Sequence, residues 1–104
     1  MKIKLIITTT DSKDNAQNIS IALVSSKLSP CVQILSNMSS IYRWEGKIEK
    51  TNEYLLLIKV LEKNLNSCKK NIIENHNYST PEIIEVSANT LSDSYATWFQ
   101  KNSE

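Results

Sequence analysis

The stretch Ser40-Ile41-Tyr42-Arg43-Trp44-Glu45-Gly46-Lys47-Ile48-Glu49 decides the fold, because it holds the only glycine of the chain between two strand-like runs. Two-residue hairpin turns need positive φ at one or both central positions, which glycine adopts at no steric cost. Glu45-Gly46, flanked by Tyr42 and Trp44 on one side and Lys47 and Ile48 on the other, therefore reads as a tight hairpin. Upstream, residues 31–44 are strand-permissive through Val32, Ile34, Ile41, Tyr42 and Trp44, and the polar patch Ser36-Asn37-Met38-Ser39-Ser40 predicts a bulge or bend. Downstream, residues 47–61 contain Tyr54-Leu55-Leu56-Leu57-Ile58-Lys59-Val60, a run apolar on both faces and so a covered, central strand. Arms of about 14 residues reach roughly 45 Å at ~3.3 Å per residue. A globule of this size is only about 30 to 35 Å across. The hairpin tip is thus expected to project, carrying aromatic side chains and unpaired strand edges that another chain must cover.

Outward from the hairpin, residues 2–9 alternate Ile3, Leu5 and Ile7 against Lys4, Ile6 and Thr8, the pattern of a strand with one well-buried face. Thr10-Asp11-Ser12 offers N-cap oxygens for a helix periodic in Ala16, Ile19 and Leu23, ending before Ser29-Pro30. Leu61, Leu65, Cys68 and Ile72 follow at helical spacing and predict a second amphipathic helix to about residue 75. Residues 81–86 read as a fourth strand, with Pro81 tolerated at its start. Leu91, Tyr95, Trp98 and Phe99 line one side of a last helix. The order β-α-β-β-α-β plus a helix predicts an α+β, ferredoxin-like single domain over residues 1–104: one antiparallel four-stranded sheet with two packed helices, a long central hairpin and an extra C-terminal helix. Its second sheet face needs a cover, which the extra helix or neighbouring subunits must provide.

Composition narrows the function. The 104 residues are 40% hydrophobic and carry 12 basic and 11 acidic side chains, a formal charge of +1. That balance leaves no electrostatic footprint for nucleic acid or an anionic membrane, and no apolar run approaches the length of a bilayer span. Two cysteines, Cys31 and Cys68, are too few for a secreted disulfide scaffold, so a soluble, cytoplasmic protein with both as thiols is expected. Cys68 lies on the apolar stripe of the second helix and is read as core. Tyr42, Trp44, Tyr78, Tyr95 and Trp98 supply most of the aromatic surface; with Glu53, Lys59 and Glu82 they are read as an inter-subunit interface or cleft. The acylphosphatase variant of this fold would need an Arg in a glycine-rich phosphate loop, whereas the sole Arg, Arg43, lies in the hairpin. RNA-recognition domains share the strand order too, but Tyr54-Leu55-Leu56-Leu57-Ile58 lacks their Gly- and Phe-rich signature. No catalytic triad, acid/base pair or nucleotide loop is evident, and no enzyme activity is expected.

Several spaced motifs carry a family resemblance: Thr8-Thr9-Thr10-Asp11, Leu28-Ser29-Pro30-Cys31-Val32-Gln33-Ile34, Ser40-x-Tyr42-x-Trp44-x-Gly46-x-Ile48, Glu53 with the strand to Lys59, His76-Asn77-Tyr78-x-x-Pro81-Glu82-Ile83, and Tyr95-x-x-Trp98. In this order over about 90 residues, the chain resembles the CutA divalent-ion tolerance proteins. The resemblance implies a homotrimer whose long strands extend the sheets across subunit boundaries, and a role in divalent metal ion tolerance. It also implies Cys31 and His76 as ligands for copper or another divalent cation, with no organic cofactor; thiolate and imidazole suit such ions. The alternative is a trimeric regulator of the PII type that binds a small effector between subunits, with metal binding incidental. The chain departs from the family pattern in three places: Asn77 replaces the usual Pro, Ser29-Pro30 replaces the common Ala-Ala, and the loop at residues 87–92 lacks the customary Pro and Gly.

Overall fold

In a computed structural model that describes all 104 residues, Glu45 and Gly46 adopt φ of 49° and 78°. Both central positions of the turn are left-handed, and the closing pair is Trp44 with Lys47. The turn joins β2 (Cys31–Trp44) to β3 (Lys47–Val60), each 14 residues long. The register slips between Leu35 and Met38, with Asn37 at φ 60°, so the polar patch is the bulge its composition suggested.

β1 (Lys2–Thr10) pairs antiparallel with β3 on one side and with β4 (Ile84–Asn89) on the other, giving the sheet order β2-β3-β1-β4. α1 (Lys13–Ser25) begins where Ser12 Oγ accepts the Asn15 N–H, and α2 (Leu65–Asn75) follows a 3-10 turn over Glu62–Asn64. Both helices cover one sheet face: Ala16, Ile19 and Leu23 of α1 and Cys68 and Ile72 of α2 close over Ile6, Leu56, Ile58 and Val60. Cys68 is thus core as expected, and burial raises its thiol pKa to about 12. α3 (Asp93–Lys101) starts at the Ser92 cap and lies against the opposite face, where Phe99 is buried and the Tyr95 ring meets Lys59.

Three expectations shift. On β1 the helices cover the Ile6, Thr8 and Thr10 side, while Leu5 and Ile7 remain half-buried on the other face. The segment 81–83 precedes β4 instead of opening it, and the strand runs on through Ser87, Ala88 and Asn89, which the comparison with the family pattern placed in a loop. Leu61 caps the 3-10 turn and does not begin α2. The overall dimensions, 46 × 24 × 22 Å, follow the hairpin. Its distal part is bare: Ile41 and Ile48 are 70% and 75% exposed.

Candidate functional site

The bulge changes which side chains share a face, and beyond it Met38, Ser40, Tyr42 and Trp44 stand on the same side of the sheet as Glu53. That side is the one the helices do not cover. Where the arm leaves the body, the segment between α2 and β4 folds back toward it. The two walls enclose a cleft of about 640 Å³, lined by Tyr42 and Trp44 from the arm, Glu53 and Thr9 from the sheet, and Tyr78 and Glu82 from the segment.

A chain of hydrogen bonds positions the segment. Thr10 Oγ1 donates to Asn77 Oδ1 (2.9 Å), Asn77 Nδ2 donates to Asp11 Oδ1 (2.9 Å), and Asn15 Nδ2 donates to the Asn75 carbonyl (2.8 Å). Asn77, one of the departures from the family pattern, thus ties the segment to the end of β1 through its side chain. Ser29, another departure, is buried and donates to the Lys59 carbonyl at 2.6 Å, fixing the start of β2.

His76 stands behind Tyr78, ring centroids 5.0 Å apart. The Tyr78 N–H can only donate, so at 3.0 Å it makes His76 Nδ1 an acceptor. In the neutral ring Nε2 then carries the proton and donates to the Thr9 carbonyl at 2.9 Å. Burial lowers the His76 pKa against the opposing pull of the Thr9 bond and of Asp11 and Glu53, in keeping with that neutral ring. Beside it, the Tyr78 hydroxyl donates to Glu53 Oε2 at 2.7 Å. Burial, then this bond and the Glu53 charge, push the Tyr78 pKa up, so the phenol keeps its proton.

Five of the residues singled out from sequence therefore converge: Tyr42, Trp44, Glu53, Tyr78 and Glu82. Lys59, Tyr95 and Trp98 form a separate group at the other end of β3. There Lys59 Nζ is 5.8 Å from the Tyr95 ring centroid and 4.0 Å from Cys31 Sγ, and the Tyr95 and Trp98 rings are 5.4 Å apart. Cys31 belongs to this second group, since it pairs with Lys59, whereas His76 reaches Thr9, which pairs with Leu55. Four residues along β3 and two strand spacings across it separate Cys31 from Thr9 by roughly 16 Å. No group of three or more His, Cys, Asp or Glu side chains in one chain could hold a metal ion. Sequence reasoning did not name Ser79 and Thr80, whose contribution is made by position and carries no pattern; Thr9, Ser40 and Ile41 stood within quoted motifs or strands but were not singled out for the cleft, and Asn77 was visible only as a departure.

The split βαβ order, the overlong β2–β3 arm and the cleft at its root define a small α+β domain of ferredoxin-like design. The chain belongs to the CutA1 family of divalent ion tolerance proteins, whose model matches residues 4–102. It is 31% identical over 99 residues to the divalent-cation tolerance protein CutA of Thermus thermophilus, a match covering 95% of this chain and 96% of that one. Against the chloroplastic protein CutA of Arabidopsis thaliana the identity is 32% over 99 residues, and the match takes up 54% of that longer chain. Among solved structures, CutA from Xylella fastidiosa superposes with a TM-score of 0.93 at 35% identity over 98% of both chains. The Thermus thermophilus protein superposes with 0.92 over the whole of both.

Proposed function

We propose that this protein is a homotrimeric divalent-cation tolerance protein, not an enzyme, that binds copper or another divalent cation in a homeostatic or signalling role. The match of residues 4–102 to the tolerance family carries the reading. Assembly is supported by surfaces one copy leaves bare. On the sheet face away from α1 and α2, Leu5, Ile7, Leu55 and Leu57 are only half-buried and Leu35, Ile84 and Val86 are exposed. An apolar face of this extent is normally covered by protein.

Cys31 is the soft donor on that face. His76 joins it at one ion only if different subunits contribute, and only by exchanging the Tyr78 N–H at Nδ1 for the ion, with Nε2 still donating to the Thr9 carbonyl. A reducing, cytoplasmic compartment keeps both cysteines as thiols. Titration of Cu(I) into reduced protein is expected to give saturable binding weakened by Cys31→Ser or His76→Ala. Unchanged affinity in both variants removes these residues from the site, and absence of saturable binding removes copper from the proposal.

A second reading, a PII-like regulator that holds a small effector, is favoured by the cleft itself. Its volume falls in the range of small-molecule sites, and it combines aromatic walls with a few fixed polar groups.

A further inference from the structure

Glu53 is the only charged residue buried in the subunit, at 6% exposure. Buried carboxylates are ordinarily paired with a cation or held by several donors. Glu53 has neither: its sole donor is the Tyr78 hydroxyl on Oε2, no lysine or arginine forms an ion pair with it, and Oε1 has no hydrogen-bond partner. The cleft it lines contains a second carboxylate, Glu82, and not one lysine, arginine or histidine. Three aromatic rings, Tyr42, Trp44 and Tyr78, complete its walls.

Resting on the reading of this cleft as an effector site, we propose that its ligand is a small organic cation, an alkylammonium or alkylguanidinium. Glu53 Oε1 is the counter-ion, and Tyr42 and Trp44 provide the aromatic wall. The charge pattern rejects an anionic effector, which would meet two carboxylates with no compensating cation. A bare divalent ion is less well served: hard cations want six or so oxygen ligands, and Glu53 and Glu82 are not joined by a third His, Cys, Asp or Glu in a group that could hold one. An organic cation uses both features: it pairs with the carboxylate and lies over the ring faces, an arrangement that strengthens when water is excluded.

Isothermal titration of the assembled protein with agmatine, and with glutarate as the anionic counterpart, tests this. Agmatine is expected to bind saturably, with affinity reduced at least about tenfold in Glu53→Gln, whose amide oxygen still accepts the Tyr78 hydroxyl bond. Trp44→Leu should weaken it too, with unchanged circular dichroism in both variants, and glutarate should give no heat. Equal agmatine affinity in Glu53→Gln overturns the proposal. Glutarate binding that Trp44→Leu abolishes, with none for agmatine, overturns the ligand class while leaving the effector cleft standing. No response to either compound, with Glu53→Gln lowering the oligomer mass, means that a basic side chain of a neighbouring copy already fills the cleft, and defeats both.

Discussion

The two halves of β3 contrast sharply. Toward its end, Leu56, Ile58 and Val60 lie fully buried under α1 and α2, in a core that one chain completes. Toward its start, Lys47, Ile48, Glu49 and Lys50 pair with β2 and touch no other element of the sheet, and Ile48 stands in water with Ile41. Both halves are strands, and backbone pairing alone serves each equally. The difference lies in what covers the side chains: the helix-covered face of the body is complete within one chain, whereas a two-stranded ribbon without a packed face is marginal in water. On the assembly proposed above, the arm holds its shape against a neighbouring copy.

The strongest way to sharpen this contrast is to substitute one residue in each half. Leu56→Ala opens a cavity in the helix-covered core and is expected to cost about 2–5 kcal/mol, read from urea unfolding. Ile48→Asn removes no intrachain packing, so it should leave the spectroscopic fold intact and instead reduce the sedimenting mass. If Ile48→Asn unfolds the subunit as Leu56→Ala does, the distinction between body and arm fails. A smaller effect is expected at the junction of the two. Tyr78→Phe strips Glu53 of its only donor and should cost about 2 kcal/mol in thermal or urea unfolding, as the loss of a hydrogen bond to a buried charge. Replacing Glu53 by Gln in that background should recover part of the loss, and no recovery would mean that the carboxylate charge is not what Tyr78 stabilises.

The smallest effect concerns His76, the one histidine. Its folded pKa lies below the ordinary 6.5, so the unfolded chain takes up a proton that the native ring resists. Stability is then full above that value and declines as the pH falls through the window beneath it. Melting temperatures between about pH 7 and 5.5 should fall in the wild type and stay flatter in His76→Gln; parallel curves would show that the ring is not held neutral.

Much of the contrast was legible in sequence. The single glycine marked the turn, because so short a hairpin needs positive φ at one or both central positions, and the polar patch marked the bulge. The apolar run 54–60 marked the central strand, which the helices bury on one face while Leu55 and Leu57 stay half-buried on the other. Other features were hidden for physical reasons. β4 is an edge strand whose later residues, Ser87 to Asn89, are held by backbone bonds to β1, so their polar side chains resemble a loop. Pro81 has no N–H to give a ladder, which is why the strand begins after it. On β1, the alternation of Ile3, Leu5 and Ile7 marked two faces but not which one the helices cover; the sheet pairing settles that. For the site, aromatic and acidic residues near the glycine and the His76 motif were visible as candidates. Their sorting into a cleft group and a separate group around Lys59 and Cys31 depends on strand register, which the bulge alters.

The central claim is that the bare arm and the uncovered sheet face dock onto sister copies, and sedimentation equilibrium of the reduced protein at micromolar concentration tests it most directly. The expected result is a single species of three times the 11.8 kDa chain mass. A stable, well-folded species at the mass of one chain would contradict it.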